Sequence, residues 1–228
     1  MDVILIPGLW LDASSWDEVL PALQRAGHTG RPLTLPGAGS TRATDIGLDD
    51  WIAAVVEHVD DLAGPVALVG HSGGGNVAWG AADARPDRVA HVVFVDTVPP
   101  PAGAEISEFP VVDGVVPFPG WDFFDEPDIA DLDADTRARW AERVGPVPRR
   151  VPTDPLRLTD ARRHRVPVTV LSGSADDSGL RAMLAEWPPF ADEFAAIEKA
   201  RVVELGSGHW PQFSQPARLA AEIVAALE

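Results

Sequence analysis

Cysteine is absent from the 228-residue sequence. Disulfides, thiolate nucleophiles and cysteine-ligated metals are therefore excluded, and a reducing, cytoplasmic setting is expected. Basic charge is scarce. Eighteen Lys and Arg stand against thirty-five Asp and Glu, for a net charge of -17, and Lys199 is the single lysine. Phosphate backbones and anionic lipid surfaces are gripped by clustered cations, so neither nucleic acid nor a membrane is an expected partner. Apolar runs are short, and none approaches the roughly 18 residues that span a bilayer. No basic segment or cleavage pattern precedes Val3-Ile4-Leu5-Ile6, so no signal peptide is expected. A Gly-rich phosphate loop, a dinucleotide fingerprint and a His–carboxylate cluster at metal spacing are all missing, so no cofactor and no metal are expected.

Apolar residues make up 46% of the chain, and mean hydropathy is +0.01. These values describe a globular protein whose length suits one α/β domain. Short apolar runs at Val3–Ile6, Thr29–Leu35, Val66–Val69, Val89–Val95, Val166–Leu171 and Val202–Leu205 predict buried strands. Helical spacing appears at Trp16–Leu23, Asp49–Leu62, Asn76–Ala84, Leu180–Trp187 and Pro216–Leu227. This alternation predicts a mostly parallel sheet of about six strands with helices on both faces. Ligands of such sheets bind beyond the carboxyl ends of the strands. Residues 98–165 break the rhythm and are too long for a simple loop. They carry one predicted helix near Ile129–Arg143, and we expect them to form a lid insertion. The core would then be residues 1–97 and 166–228 of a single domain. The acidic run from Asp122 to Asp135 is expected to be a solvated surface.

Gly70-His71-Ser72-Gly73-Gly74 follows an apolar strand and precedes a helix. G-x-S-x-G means little alone, but between a strand and a helix it marks a sharp turn that lifts the serine hydroxyl above the sheet. The Gly73 N–H, at the helix start, can face a developing oxyanion. A serine hydroxyl needs a base to act as a nucleophile. Of six histidines, His209 follows the last strand in a Gly206-Ser207-Gly208 loop at the same sheet edge. His71 adjoins Ser72 and is expected to support the turn. A third group must orient the imidazole and stabilise its cation. Asp96 ends one strand and Asp176 follows another. The spacing leaves both open, with Asp96 otherwise a turn residue and Asp176 otherwise a helix cap.

With these residues in hand, the chain resembles the α/β-hydrolase superfamily over essentially its whole length. The order Ser72, Asp, His209 matches that fold. Ile6-Pro7-Gly8-Leu9-Trp10 is similar to the oxyanion loop of small esterases and cofactor-free haloperoxidase-like members. Leu33-Thr34-Leu35-Pro36-Gly37 and Gly208-His209-Trp210-Pro211 are similar to two further superfamily segments. The resemblance implies an α/β-hydrolase fold and a second oxyanion donor at the Leu9 N–H. Most members place the acid where Asp176 lies, and a minority where Asp96 lies. Serine at the nucleophile position disfavours dehalogenase and epoxide hydrolase chemistry. The activity implied is hydrolysis of carboxylic esters of small apolar or aromatic substrates through an acyl-enzyme. Trp10, Trp121 and Trp210 are candidates for the substrate wall, with core or lid packing as the plainer role. A triad-bearing lyase, cyclase or perhydrolase, or a non-catalytic ligand-binding protein on the same fold, are the alternatives.

Overall fold

The computed structural model describes residues 1–228. Six parallel strands form the main sheet: β1 (Asp2–Ile6), β2 (Thr29–Pro32), β3 (Val66–His71), β4 (Val89–Val95), β7 (Val168–Ser172) and β8 (Ala200–Glu204). Their spatial order is β2-β1-β3-β4-β7-β8, so β3 and β4 lie at the centre. Two short antiparallel strands, β5 (Val115–Val116) and β6 (Val147–Pro148), form a separate hairpin-like pair.

The central strands are continuous apolar runs because both faces are covered. Along β1, Ile4 and Ile6 join a core cluster on one face, while Val3 and Leu5 join a second cluster on the other. The first face is packed by α2 (Leu48–Asp61), α3 (Gly74–Ala84), α6 (Asp177–Ala185) and α7 (Pro188–Ala196). The second is packed by α1 (Leu20–Arg25) and α9 (Pro216–Leu227). In α2 the buried positions Leu48, Trp51, Val55 and Val59 recur every three or four residues, which puts them on one stripe.

Several boundaries differ from the sequence expectations. The first helical pattern splits into a 3₁₀ turn at Ala13–Trp16, capped by Asp12, and α1. Pro21 suits only the first turn of a helix, so α1 starts beside it. Strand β2 is shorter than Thr29–Leu35 and ends at Pro32; the Leu33 N–H still donates to the Leu5 carbonyl at 3.0 Å, and the sheet edge makes Pro tolerable. Pro188 and Pro189 open α7, a helix that periodicity alone did not separate from α6. The helix expected near Ile129–Arg143 is two: α4 (Glu126–Ile129) and α5 (Ala134–Ala141). Asp133 divides them by accepting the Thr136 N–H at 2.7 Å as the cap of α5.

Residues 98–165 contain β5, β6, α4 and α5 and share the main core through Val116, Val147, Val151 and Leu156. Ile129, Leu132 and Trp140 make a smaller cluster with Leu11, Trp210 and Phe213, with Trp140 and Phe213 stacked at 3.8 Å. This segment therefore covers the carboxyl edge of the sheet near the turn after β1 and the loop after β8.

Its C-terminal end is anchored by a buried ionic knot. Arg163 donates to both oxygens of Glu193, at 2.8 and 3.0 Å, and to Asp83 at 3.1 Å. The indole of Trp79 donates to Glu193 at 2.8 Å, and the Thr159 and Asp160 amides donate to Asp83. Burial alone would raise the Glu193 carboxyl. Hydrogen bonds from Arg163, Trp79 and His164, with the Arg163 charge, outweigh that and hold it below the usual carboxylate range. A depressed carboxyl stabilises the fold above its unfolded pKa and loses that contribution as pH falls through the folded value. Arg163→Met leaves two buried carboxylates without their cation and should cost about 3–5 kcal/mol of unfolding free energy at pH 7. The deficit should shrink in acid as Glu193 takes a proton. Urea titrations at pH 7 and in mild acid check both statements, and a loss under about 1 kcal/mol at pH 7 would show that the knot does not carry this load.

Candidate active site

The ladder of the central sheet runs one rung past the strands. The Ser72 N–H donates to the Val95 carbonyl at 3.1 Å, and the Asp96 N–H to the Leu171 carbonyl at 2.8 Å. Ser72 and Asp96 thus leave adjacent strands at one height. Both turn sharply there, with φ of 51° and 46°, the left-handed region that costs a side-chain-bearing residue about 1–2 kcal/mol. The elbow at Ser72 closes tightly. A Cβ at Gly70 would sit 2.5 Å from the Gly74 carbonyl oxygen, and one at Gly74 would sit 2.6 Å from that of Pro7. Only glycine admits this approach of backbone to backbone.

His209 bridges the two turns. Its Nε2 accepts the Ser72 hydroxyl at 3.0 Å, and its Nδ1–H donates to Asp96 Oδ2 at 2.6 Å. The other Asp96 oxygen accepts the Gly173 N–H at 2.8 Å. Both side chains are mostly covered, at 22% exposure for His209 and 24% for Asp96. Burial would raise the Asp96 carboxyl. The His209 hydrogen bond and charge, with the Gly173 N–H, overcome that and keep it below the ordinary carboxylate range, so it stays ionised beside the imidazole. Gly173 has no spare room, since a Cβ there would lie 2.8 Å from Asp96 Oδ1.

Asp176, the other candidate acid, is not part of this assembly. It caps α6, and its Oδ1 accepts the Gly179 N–H at 2.8 Å and the Ser178 hydroxyl at 2.9 Å. Those bonds hold its carboxyl low on an exposed helix end. A cap needs its oxygen aimed at its own helix, which directs it away from His209.

The Leu9 and Gly73 amides donate to no protein oxygen. They are neighbours, because a Cβ on Gly73 would meet the Leu9 side chain at 3.3 Å. Leu9 precedes Trp10, whose φ of 66° bends the chain after β1. Trp10 is buried against Phe109, Phe118 and Phe124, and its indole donates to the Val116 carbonyl at 3.3 Å. Trp121 donates its indole to the Arg137 carbonyl and packs edge-on to Trp210 at 5.0 Å. Trp210 in turn stands edge-on to the His209 ring at 4.7 Å and to Phe124 at 4.8 Å. Of the three tryptophans, Trp210 therefore touches the His209 ring directly. A cavity of about 270 Å³ opens beside Asp96 between Val98, Val170, Leu180 and Met183. A larger one, about 420 Å³, is lined by Val115, Phe118 and Val144, and neither cavity includes Ser72 or His209.

Sequence reasoning missed the partners of the His209 loop. The Asp128 carbonyl accepts the His209 N–H at 2.8 Å, and Asp131 accepts the Gly208 N–H at 2.8 Å. The acidic run read as solvated surface thus makes two contacts to that loop; nothing in its spacing distinguishes those two residues from the rest. His71 does more than support the turn: its ring reaches the His209 carbonyl and Gln212.

The α/β-hydrolase family profile matches residues 3–222. The chain belongs to the α/β-hydrolase family. Among its relatives are Esterase PIR7B of Oryza sativa subsp. japonica, 34% identical over 110 residues, which cover 46% of this chain and 41% of that protein. Methylesterase 9 of Arabidopsis thaliana is 35% identical over 109 residues, 43% of each chain. The chain thus spans less than half the length of these relatives. An extracellular α/β-hydrolase from Paenibacillus species superimposes with a TM-score of 0.80 over 99% of this chain and 98% of its own, at 21% identity. That likeness is one of fold.

In this α/β-hydrolase the left-handed turn at position 72 is a strain that glycine would relieve. Ser72→Gly should be more stable than Ser72→Ala by about 1 kcal/mol, since both lose the hydroxyl and only alanine keeps a Cβ. Thermal melts of the two variants decide it, and equal or reversed stabilities would contradict the strained turn.

Proposed function

We propose that the protein is a serine esterase acting on carboxylic esters of small apolar or aromatic substrates. The observation that carries this reading is the unbroken hydrogen-bonded series from the Ser72 hydroxyl through the His209 ring to Asp96. The matched esterases support the reaction class.

In the proposed cycle, Ser72 Oγ attacks the ester carbonyl while its proton passes to His209 Nε2. Ionised Asp96 stabilises the imidazolium and fixes the tautomer whose Nδ1 bears the hydrogen. The carbonyl π pair becomes an oxyanion facing the unpaired Leu9 and Gly73 amides. The intermediate collapses, the C–O bond breaks, and the alcohol leaves with the His209 proton. Water, activated by the same imidazole, then releases the acid and restores the Ser72 hydroxyl. No cofactor enters these steps. The aromatic surface beside His209, formed by Trp210, Trp121 and Phe124, offers an apolar wall. The indoles of Trp10 and Trp121 are spent on backbone carbonyls, so both present only ring surface. Residues 98–165 act as the lid that excludes water.

Ser72→Ala should abolish turnover of a short p-nitrophenyl ester and labelling by a fluorophosphonate; retained turnover would remove Ser72 as the nucleophile. Asp96→Asn should lower kcat on the order of 10⁴-fold through loss of the correct imidazole tautomer, as in the protease precedent. Asp176→Asn should leave kcat within a few-fold of the parent, because its carboxylate serves only the start of α6. Steady-state kinetics on the two variants compare the candidates directly, and a reversed order would transfer the acid role to Asp176.

A further inference from the structure

We infer that His71 is a positioning residue that couples the base loop to the oxyanion turn, an inference that rests on the esterase reading above. The His71 ring is buried between three parts of the site. Its Nε2 lies 2.7 Å from the His209 carbonyl oxygen. A carbonyl only accepts, so Nε2 carries the hydrogen and donates. Nδ1 is then an acceptor, and the Gln212 side-chain amide donates to it at 3.2 Å. The same Nδ1 lies under the turn that carries Leu9, where a Cβ on Gly8 would come within 2.7 Å of it. One ring therefore touches the residue before the oxyanion donor and the peptide of the base, and it belongs to the residue preceding the nucleophile.

The placement matters because the loop bearing His209 is built on Gly206 and Gly208, and backbone contacts fix the position of its peptide. The His209 peptide is pinned at both ends: its N–H to the Asp128 carbonyl and its C=O to His71. Of the two, His71 belongs to the rigid elbow, so it references the base to the nucleophile. A loose base is costly, since a displacement of about 1 Å can remove about 10²-fold of rate. The ring must also stay neutral, because its centroid lies 5.0 Å from that of His209, where an imidazolium forms during the reaction. Burial does this first and the nearby His209 charge second, pushing the His71 pKa down to about 3.

The test compares His71→Leu with His71→Gln, whose side-chain amide can restore an N–H toward the His209 carbonyl. The probes are a short p-nitrophenyl ester and a fluorophosphonate that labels the serine. We expect His71→Leu to lose about 10²-fold in kcat and in labelling rate, with KM within about threefold. His71→Gln should recover at least about tenfold of that loss. Equal kcat in folded His71→Leu and the parent overturns the inference. So does an equal loss in both variants, which would mean that the ring only fills space. If His71→Leu does not fold, Gln212→Met serves instead: it removes the donor to Nδ1 and should lower kcat by about tenfold, with unchanged kcat again overturning the inference. A parent protein that the fluorophosphonate does not label at Ser72 removes the esterase reading itself, and this inference with it.

Discussion

The register at which the central ladder ends is the constraint on which the site depends. Strands β3, β4, β7 and β8 are parallel, and the ends of β3 and β8 donate inward, as the end of β4 donates to β7. Ser72 pairs with Val95, Asp96 with Leu171, and Leu205 with Ser172. The loops after β3 and β4 therefore start level and the loop after β8 one residue further on, all within reach of one imidazole. A slip of one residue in β4 would turn Asp96 to the opposite face of the sheet, because side chains alternate along a strand. Both cores guard against such a slip, since every residue of β3 is buried.

Two shared turns follow from that register. Ser72 and Asp96 both take left-handed backbone conformations directly after their strands. The strain is local, and the surrounding packing holds it: glycines at 70 and 74 let α3 begin beside β1, and Gly173 presses on the acid from β7. The two candidate-site residues are strained, while their neighbours are small so that they can be.

Much of this was legible in the chain itself. Continuous apolar runs gave the parallel sheet, and G-x-S-x-G between strand and helix gave the elbow. The glycine-flanked His209 after the last strand was equally readable, because position in an α/β alternation dictates which sheet edge a loop joins. The acid was not. Asp96 and Asp176 both follow strands, and only the side-chain hydrogen bonds separate a carboxylate aimed at an imidazole from one aimed at its own helix amides. Asp131 and the Asp128 carbonyl were invisible for a different reason: their contacts join segments about eighty residues apart, and no local spacing encodes them. The split of α4 from α5 shows the limit of periodicity, because a single capping aspartate interrupts a pattern that otherwise continues.

The position of Asp96 on β4 has a consequence for how the assembly holds together. Ser72 and Asp96 ride on neighbouring central strands, clamped by direct rungs and buried on both faces. They form one stiff jaw, and the imidazole that spans it is carried on a separate loop, whose peptide is held by the Asp128 carbonyl and the His71 ring. Residues 98–165 hold that loop through the Asp128 carbonyl and Asp131, so any displacement of the segment also pulls on the His209 peptide. The placement of that segment and the placement of the His209 imidazole against Ser72 are thereby mechanically geared to each other.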